Sequence, residues 1–226
     1  MSAVRRATGE DGATSRRSDA TLPLRHIVPL LFPLALSLVV STAASAQPTL
    51  PPAGFGSMRQ DDVALVVQHF GLTVKAIPLD ESVIRTLAPD SYRSMHALGE
   101  SKAKALEAIA RRVGLPAVQA WYVSYSTVEQ GEARYEAYDF LVRSGGQDYR
   151  PLDVLALTPG FGEGRVRARE PQFAILAFDP AIDLNQPLAV TVATQQNLSW
   201  TDILRRLEQE RTLIWSRAGA TVPRKP

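Results

Sequence analysis

Between Tyr138 and Ala193 four short apolar runs follow one another: YDFLVR (138–143), YRPLDVLAL (149–157), QFAILAF (172–178) and PLAVTVA (187–193). They are separated by Gly145-Gly146, by TPGFGEG (158–164) and by DPAIDLNQ (179–186). Short apolar runs bounded by glycine, proline and Asx residues are the pattern of antiparallel strands joined by turns. A chain with this centre has to bury its strands against a second layer, because one face of each run is too apolar for water.

The N-terminal residues have a different character. Ile27 to Val40 (IVPLLFPLALSLVV) is apolar throughout, five arginines precede it, and Ala44-Ser45-Ala46 follows as an A-x-A site. Basic flank, apolar stretch and small-residue site together predict a secretory signal peptide over 1–46, cleaved near Ala46. The apolar block is fourteen residues long and contains two prolines, short of the roughly twenty residues that span a bilayer. The expected location is therefore periplasmic or extracellular, with membrane contact only through this segment if it is left uncleaved.

That segment holds five of the 25 basic residues and three of the 23 acidic ones, so the remainder is balanced at twenty of each. The basic excess belongs to the leader, and a nucleic-acid partner, which needs a basic face on the folded domain, is not expected. Cysteine is absent, which excludes thiol catalysis, thiolate metal sites and disulfides. A chain of this size can bury its core without them.

Gln47 to about residue 60 is rich in proline and glycine and is expected to be an extended tether. DDVALVVQHF (61–70) and LTVKAIPL (72–79) read as a hairpin across His69-Phe70-Gly71, although Asp61-Asp62 would also suit a helix start. A helical insert over 80–114 comes next. DESVIRTLA opens on a capping Asp80, and SKAKALEAIARRV (101–113) is expected to be capped by Ser101 and ended by Gly114. VQAWYVSYST (118–127) is a strand with Trp121, Val123 and Tyr125 on one face. TQQNLS is read as a loop, Ser199 as a capping-box residue, and Trp200 to Arg217 as an amphipathic helix supported by Asp202–Arg206 and Glu208–Arg211 pairs. Residues 218–226 read as a disordered tail.

The expected architecture is mainly β. It is an antiparallel two-layer β-sandwich, immunoglobulin-like, of about seven strands in a single domain over 61–217, with the helical insert and a C-terminal helix. A compact α+β sheet is the alternative. The terminal helix could instead pair with a second helix, but it is too short for a free coiled coil.

Candidate chemistry is sparse. Gly160-Phe161-Gly162-Glu163-Gly164 resembles a phosphate loop, but RVRARE follows where a helix N-terminus is required, so a wide turn is expected. Ser101 to Lys104 fits S-x-x-K, yet S-D-N and K-T-G are missing. Beyond residue 46 the only histidines are His69 and His96, on separate segments and without H-E-x-x-H spacing. Asp179, Asp183 and Asn185 gather oxygens in one loop without EF-hand spacing, so turn chemistry is preferred over calcium. The aromatics of the strands are expected in the core, with Tyr122, out of phase with Trp121 and Tyr125, as the outward one. No cofactor and no metal are expected, and no residue is assigned to catalysis. The expected surface for a partner comprises Tyr122, Phe161, Glu163, Asp179, Asp183 and Asn185, the partner being another envelope protein or a glycan. The expected function is a non-enzymatic binding or structural accessory domain of the cell envelope. The alternative is a secreted hydrolase using carboxylates such as Glu129, Glu132 or Glu136.

Overall fold

The acidic residues and the valines of 61–70 divide the segment between them. Asp61 and Asp62 lie in the first turn of a short helix, α1 (Gln60–Val63), where the Asp62 carboxylate accepts from the Arg59 backbone N–H at 2.8 Å. The valine run then extends as β1 (Leu65–His69), pairing antiparallel with β2 (Leu72–Pro78). The turn is two residues, Phe70 and Gly71, both left-handed with φ 43° and 75°. That mirror-image turn matches strand twist, and Gly71 adopts it freely; Phe70 adopts it at a steric cost while remaining 91 % exposed. The computed structural model describes residues 49–127 and 131–219, within the unit Ala46–Pro226. Residues 1–48, which contain the expected signal peptide over 1–46, residues 128–130, which include Glu129, and residues 220–226 lie outside the described residues.

The helical insert begins as expected and then departs from expectation. Asp80 caps α2 (Glu81–Ile84), its carboxylate accepting from the Ser82 N–H at 2.8 Å. The next helix, α3 (Pro89–Val113), is twelve residues longer at its start than the helix placed at 101–113. Pro89 does not stop α2 so much as start α3, since its fixed φ and missing N–H suit the first helical turn. Ser101 is therefore not a cap; it sits mid-helix, its hydroxyl donating to the Leu98 carbonyl at 2.8 Å. The exit is as expected, with Gly114 left-handed at φ 73° and its N–H returning to Ala110 and Arg111.

The remaining chain supplies β3 (Gln119–Thr127), β4 (Glu132–Arg134), β5 (Phe140–Ser144), β6 (Gln147–Tyr149), β7 (Asp153–Ala156), β8 (Arg165–Arg167), β9 (Gln172–Phe178), β10 (Leu188–Val192) and β11 (Gln195–Asn197), then helix α4 (Trp200–Arg217). Among the described residues there are eleven strands where seven are expected, because β4, β6, β8 and β11 are three residues each, too short to show alternation. β11 is the segment expected to be a loop. The strands form one sheet in the order β1-β2-β3-β9-β7, a second in the order β11-β10-β5-β6, and a two-stranded ribbon β4-β8. Every named pairing is antiparallel. The protein is thus mainly β, built of antiparallel sheets with a C-terminal helix.

Strand alternation decides what meets inside. Trp121, Val123 and Tyr125 are buried on one face of β3, where Trp121 meets Phe178 edge-on at 5.8 Å and reaches Phe140 of the second sheet at 6.3 Å. The two larger sheets therefore share side chains in one core. On the outward face of β9, Ile175 and Ala177 are also fully enclosed, as are Ile109 and Ala110 of α3. An Arg112–Asp153 ion pair fastens the end of α3 to β7. Helix α4 buries Trp200, Ile203, Leu207 and Ile214, and the Trp200 indole donates to the Leu184 carbonyl at 3.1 Å. Its N-cap, Ser199, makes no capping bond; the hydroxyl donates instead to the Asn197 side chain. Asp202 pairs with Arg205 rather than Arg206, which lies nearer Asp62 at 3.8 Å, while Glu208–Arg211 forms as expected at 2.9 Å.

The expected tether is corrected outright from Pro51 onward. Pro51 and Gly56 are buried, Met58 enters the core at 8 % exposure, and Met58 bridges Leu87. The segment is a strap laid on the domain. What holds it is Glu210, which accepts from the Ser57 N–H at 2.8 Å, the Ser57 hydroxyl at 2.9 Å and Arg217 at 2.6 Å. Arg217 also donates to the Phe55 carbonyl at 2.9 Å. Burial acts to raise the pKa of Glu210, but the hydrogen bonds from Arg217 and Ser57 outweigh it and hold the carboxyl below its ordinary 4.5. A depressed folded-state pKa stabilises the fold above the unfolded value, and that stabilisation is lost as pH falls through the folded one. Urea unfolding followed from pH 7 down to 3 should therefore show a shallower acid limb for Glu210→Gln than for the parent chain. Identical limbs would mean that the clasp contributes nothing to stability.

Candidate functional site

The six residues expected to form a partner surface take different settings in the structure. Phe161 is corrected: the loop 158–164 winds into a short 3₁₀ turn (Pro159–Glu163) that turns its ring inward, 5.7 Å from Tyr125 and 5.2 Å from Tyr135. The Tyr135 hydroxyl donates to the Phe161 carbonyl at 2.7 Å. Burial pushes the Tyr135 phenol up to about 12 and raises that of Tyr125 further. Glu163 stays on the surface, accepting from Arg165 at 2.7 Å, which lowers its pKa. Tyr122 does face away from Trp121, but it is half-buried and stacked on Phe173 at 6.0 Å. The carboxylates of Asp179 and Asp183 each accept from a backbone N–H two residues on, Ala181 and Asn185, at 2.8 and 2.9 Å. Asn185 is exposed. This loop is turn chemistry, and Ile182 and Leu184 anchor it in the core.

A groove of about 250 Å³ lies elsewhere, between α3, the start of α2 and the start of β3. Helical spacing builds one wall, since Met95, Gly99, Ala103 and Leu106 recur at three and four residues along α3. The opposite side is Leu79, Ile84 and the turn into β3 at Val118–Ala120. The Leu79 N–H donates to the Ala120 carbonyl at 2.8 Å and so sets the spacing of that side. Gln119 fixes the inner end, its amide donating to the Ile182 carbonyl at 3.3 Å and its oxygen accepting from the Trp121 indole at 3.1 Å.

A polar cluster centres on Glu81, joining His96 of the lining to Arg85 and Tyr92 beside it. One carboxylate oxygen accepts from His96 Nδ1 at 2.8 Å; the other accepts from Arg85 Nε and lies 3.4 Å from the Tyr92 hydroxyl. A carboxylate can only accept, so Nδ1 carries the proton and Nε2 of His96 is left for another partner. The Tyr92 ring stacks on the imidazole at 5.4 Å. Burial acts to raise the Glu81 pKa, but hydrogen bonds from Arg85 and His96 prevail and keep it ionised. Burial, helped by the Glu81 charge, raises the pKa of Tyr92. Arg85 also donates to the Pro51 carbonyl at 3.2 Å, so the strap ends beside this cluster.

The lining of the groove includes three carboxylates, Asp80, Glu81 and Glu100, and neither lysine nor arginine. A second, more open hollow of about 310 Å³ lies beside the strap, between Ser57, Met58, Arg206 and Leu213. Both its carboxylates are already engaged, Glu210 in the clasp and Asp62 with the Arg59 N–H and Arg206. The groove at Glu81 is therefore the better site. The sequence pattern of 89–100 shows no helix and gives His96 no partner; the signal that points to the groove is Pro89 as a helix start. Of the carboxylates named for a hydrolase, the two described ones, Glu132 and Glu136, do not line the groove. Glu132 lies 3.6 and 3.7 Å from Arg165 and Arg167 on the ribbon, and Glu136 is exposed. No protein-family model matches the chain, and neither curated proteins nor solved structures show a significant match.

Proposed function

We propose that this chain is an exported, non-catalytic accessory domain of the cell envelope that binds a partner, with its two larger sheets as the layers of an immunoglobulin-like sandwich. The observation that carries the binding reading is the state of Glu81. Its carboxylate is already tied to Arg85 and His96, an arrangement that fixes the polar edge of the groove as a surface. The apolar walls around it offer contact area, and the inter-sheet contact of Trp121 with Phe140 supports the sandwich. Export rests on the basic, apolar and small-residue pattern of 1–46.

The test has two arms. Expressed with its leader in a bacterial host, the chain should appear in the periplasmic fraction with Gln47 as its first residue. Immobilised, it should capture one envelope component saturably, and it should turn over none of a panel of ester, amide and glycoside substrates. Turnover that Glu132→Gln or Glu136→Gln abolishes would overturn the binding reading in favour of a hydrolase.

A further inference from the structure

We infer that the groove between α3 and β3 is a docking pocket for one Lys or Arg side chain, presented by a peptide segment of a protein partner. This rests on the binding reading above and supplies its chemistry. At about 250 Å³ the groove has room for roughly one side chain, below the ~300–1,000 Å³ of sites that enclose a small-molecule ligand. Its walls are apolar where Leu79, Ile84, Met95 and Leu106 face it, and its charge is all of one sign. Lys and Arg are the side chains that match both features, an aliphatic stem on apolar surface with a cationic head beyond it.

The acidic groups are not equally engaged. Glu81 is neutralised by Arg85, and one oxygen of Asp80 caps α2. Glu100 enters none of the ion pairs among the described residues, and the lysines of α3, Lys102 and Lys104, fall outside the lining. An incoming cation therefore meets Glu100 and the second Asp80 oxygen without displacing an internal one. A glycan fits less well, since no Trp, Tyr or Phe lines the groove to stack on a sugar ring.

The full chain, isotope-labelled, is titrated by NMR with Ac-Ala-Arg-Ala-NH2 and with the norleucine tripeptide, which keeps the stem and lacks the charge. The arginine peptide should shift the Met95 methyl and Gly99 amide signals with a dissociation constant on the order of 1 mM, as expected for so few ligand atoms. Glu100→Gln should weaken it about threefold, the size of an exposed charge pair. Gly99→Leu should abolish it. A Cβ added at Gly99 meets open space, so this variant fills the groove from a helix that tolerates leucine. Equal response to norleucine, absence of any response, or binding retained by Gly99→Leu would each overturn the proposal, and Glu100→Gln decides alone if Gly99→Leu does not fold. The two readings fail separately. An envelope partner still captured by Gly99→Leu would sink the pocket and leave the binding domain standing. Arginine-peptide binding without any captured partner would uphold the pocket and sink the function.

Discussion

Gly56→Ala should lower the melting temperature by about 6–12 °C and open residues 49–59 to limited proteolysis. A Cβ at this position would fall on the backbone carbonyls of Thr86 and Leu87, far inside van der Waals contact. Main-chain atoms at the end of α2 have no rotamer by which to yield, and overpacking of this kind costs about 3 kcal/mol. For a chain of this length, roughly 2–4 °C is lost per kcal/mol. The domain also has a second escape, which is to release the strap. Release gives up the burial of Met58, worth about 1.5–3 kcal/mol, and leaves Glu210 without its Ser57 donors. Both routes lead to loss of similar size, and proteolysis tells them apart: cleavage near Met58 at temperatures where the sheets persist marks release. A variant with unchanged melting and unchanged cleavage would show that the strap does not rest on Thr86 and Leu87.

The strap also shows where sequence reasoning reaches its limit. The pattern QPTLPPAGFG carries no apolar period, and periodicity is the signal by which buried segments are recognised. Its burial comes instead from single contacts at large separation, Ser57 with Glu210 and Phe55 with Arg217, which no local window contains. The central strands were legible for the opposite reason. Trp121, Val123 and Tyr125 alternate strictly, and in QFAILAF both faces are apolar because the sheet is covered on both. The candidate groove was illegible because it depends on α3 starting at Pro89. Once PDSYRSMHALGE is helical, Met95, Gly99, Ala103 and Leu106 become one wall, and His96 is carried to Glu81. Proline after a helical run signals a terminator, yet the same residue is favoured in a first helical turn. The glycine loop failed as a surface because its 3₁₀ turn, set by long-range packing on Tyr125 and Tyr135, buries the one aromatic it contains.

Trp121→Ala should cost about 3–5 kcal/mol, the usual range for deleting a buried tryptophan. That is a large share of the roughly 5–15 kcal/mol that holds a domain of this kind together. Trp121 is fully buried, and it reaches Phe178 on the neighbouring strand and Phe140 on the second sheet. The loss therefore falls on the contact between sheets as well as on the volume removed. A double-mutant cycle separates the two. With Trp121→Leu and Phe140→Leu, urea unfolding should give a coupling of about 0.5–1.5 kcal/mol, the range of edge-to-face aromatic pairs. Coupling indistinguishable from zero would mean that the two sheets do not meet through these rings, and the shared core would fail with it. The same tryptophan reaches the candidate site through one hydrogen bond. Its indole donates to the Gln119 oxygen while the Gln119 amide holds the Ile182 carbonyl. Losing the indole frees the inner end of the groove, so in a Trp121→Phe variant that keeps most of the core, the Gln119 side-chain amide signals should broaden or shift. Unmoved Gln119 signals would uncouple the core from the groove and leave the wall set by Leu79 and Ala120 alone.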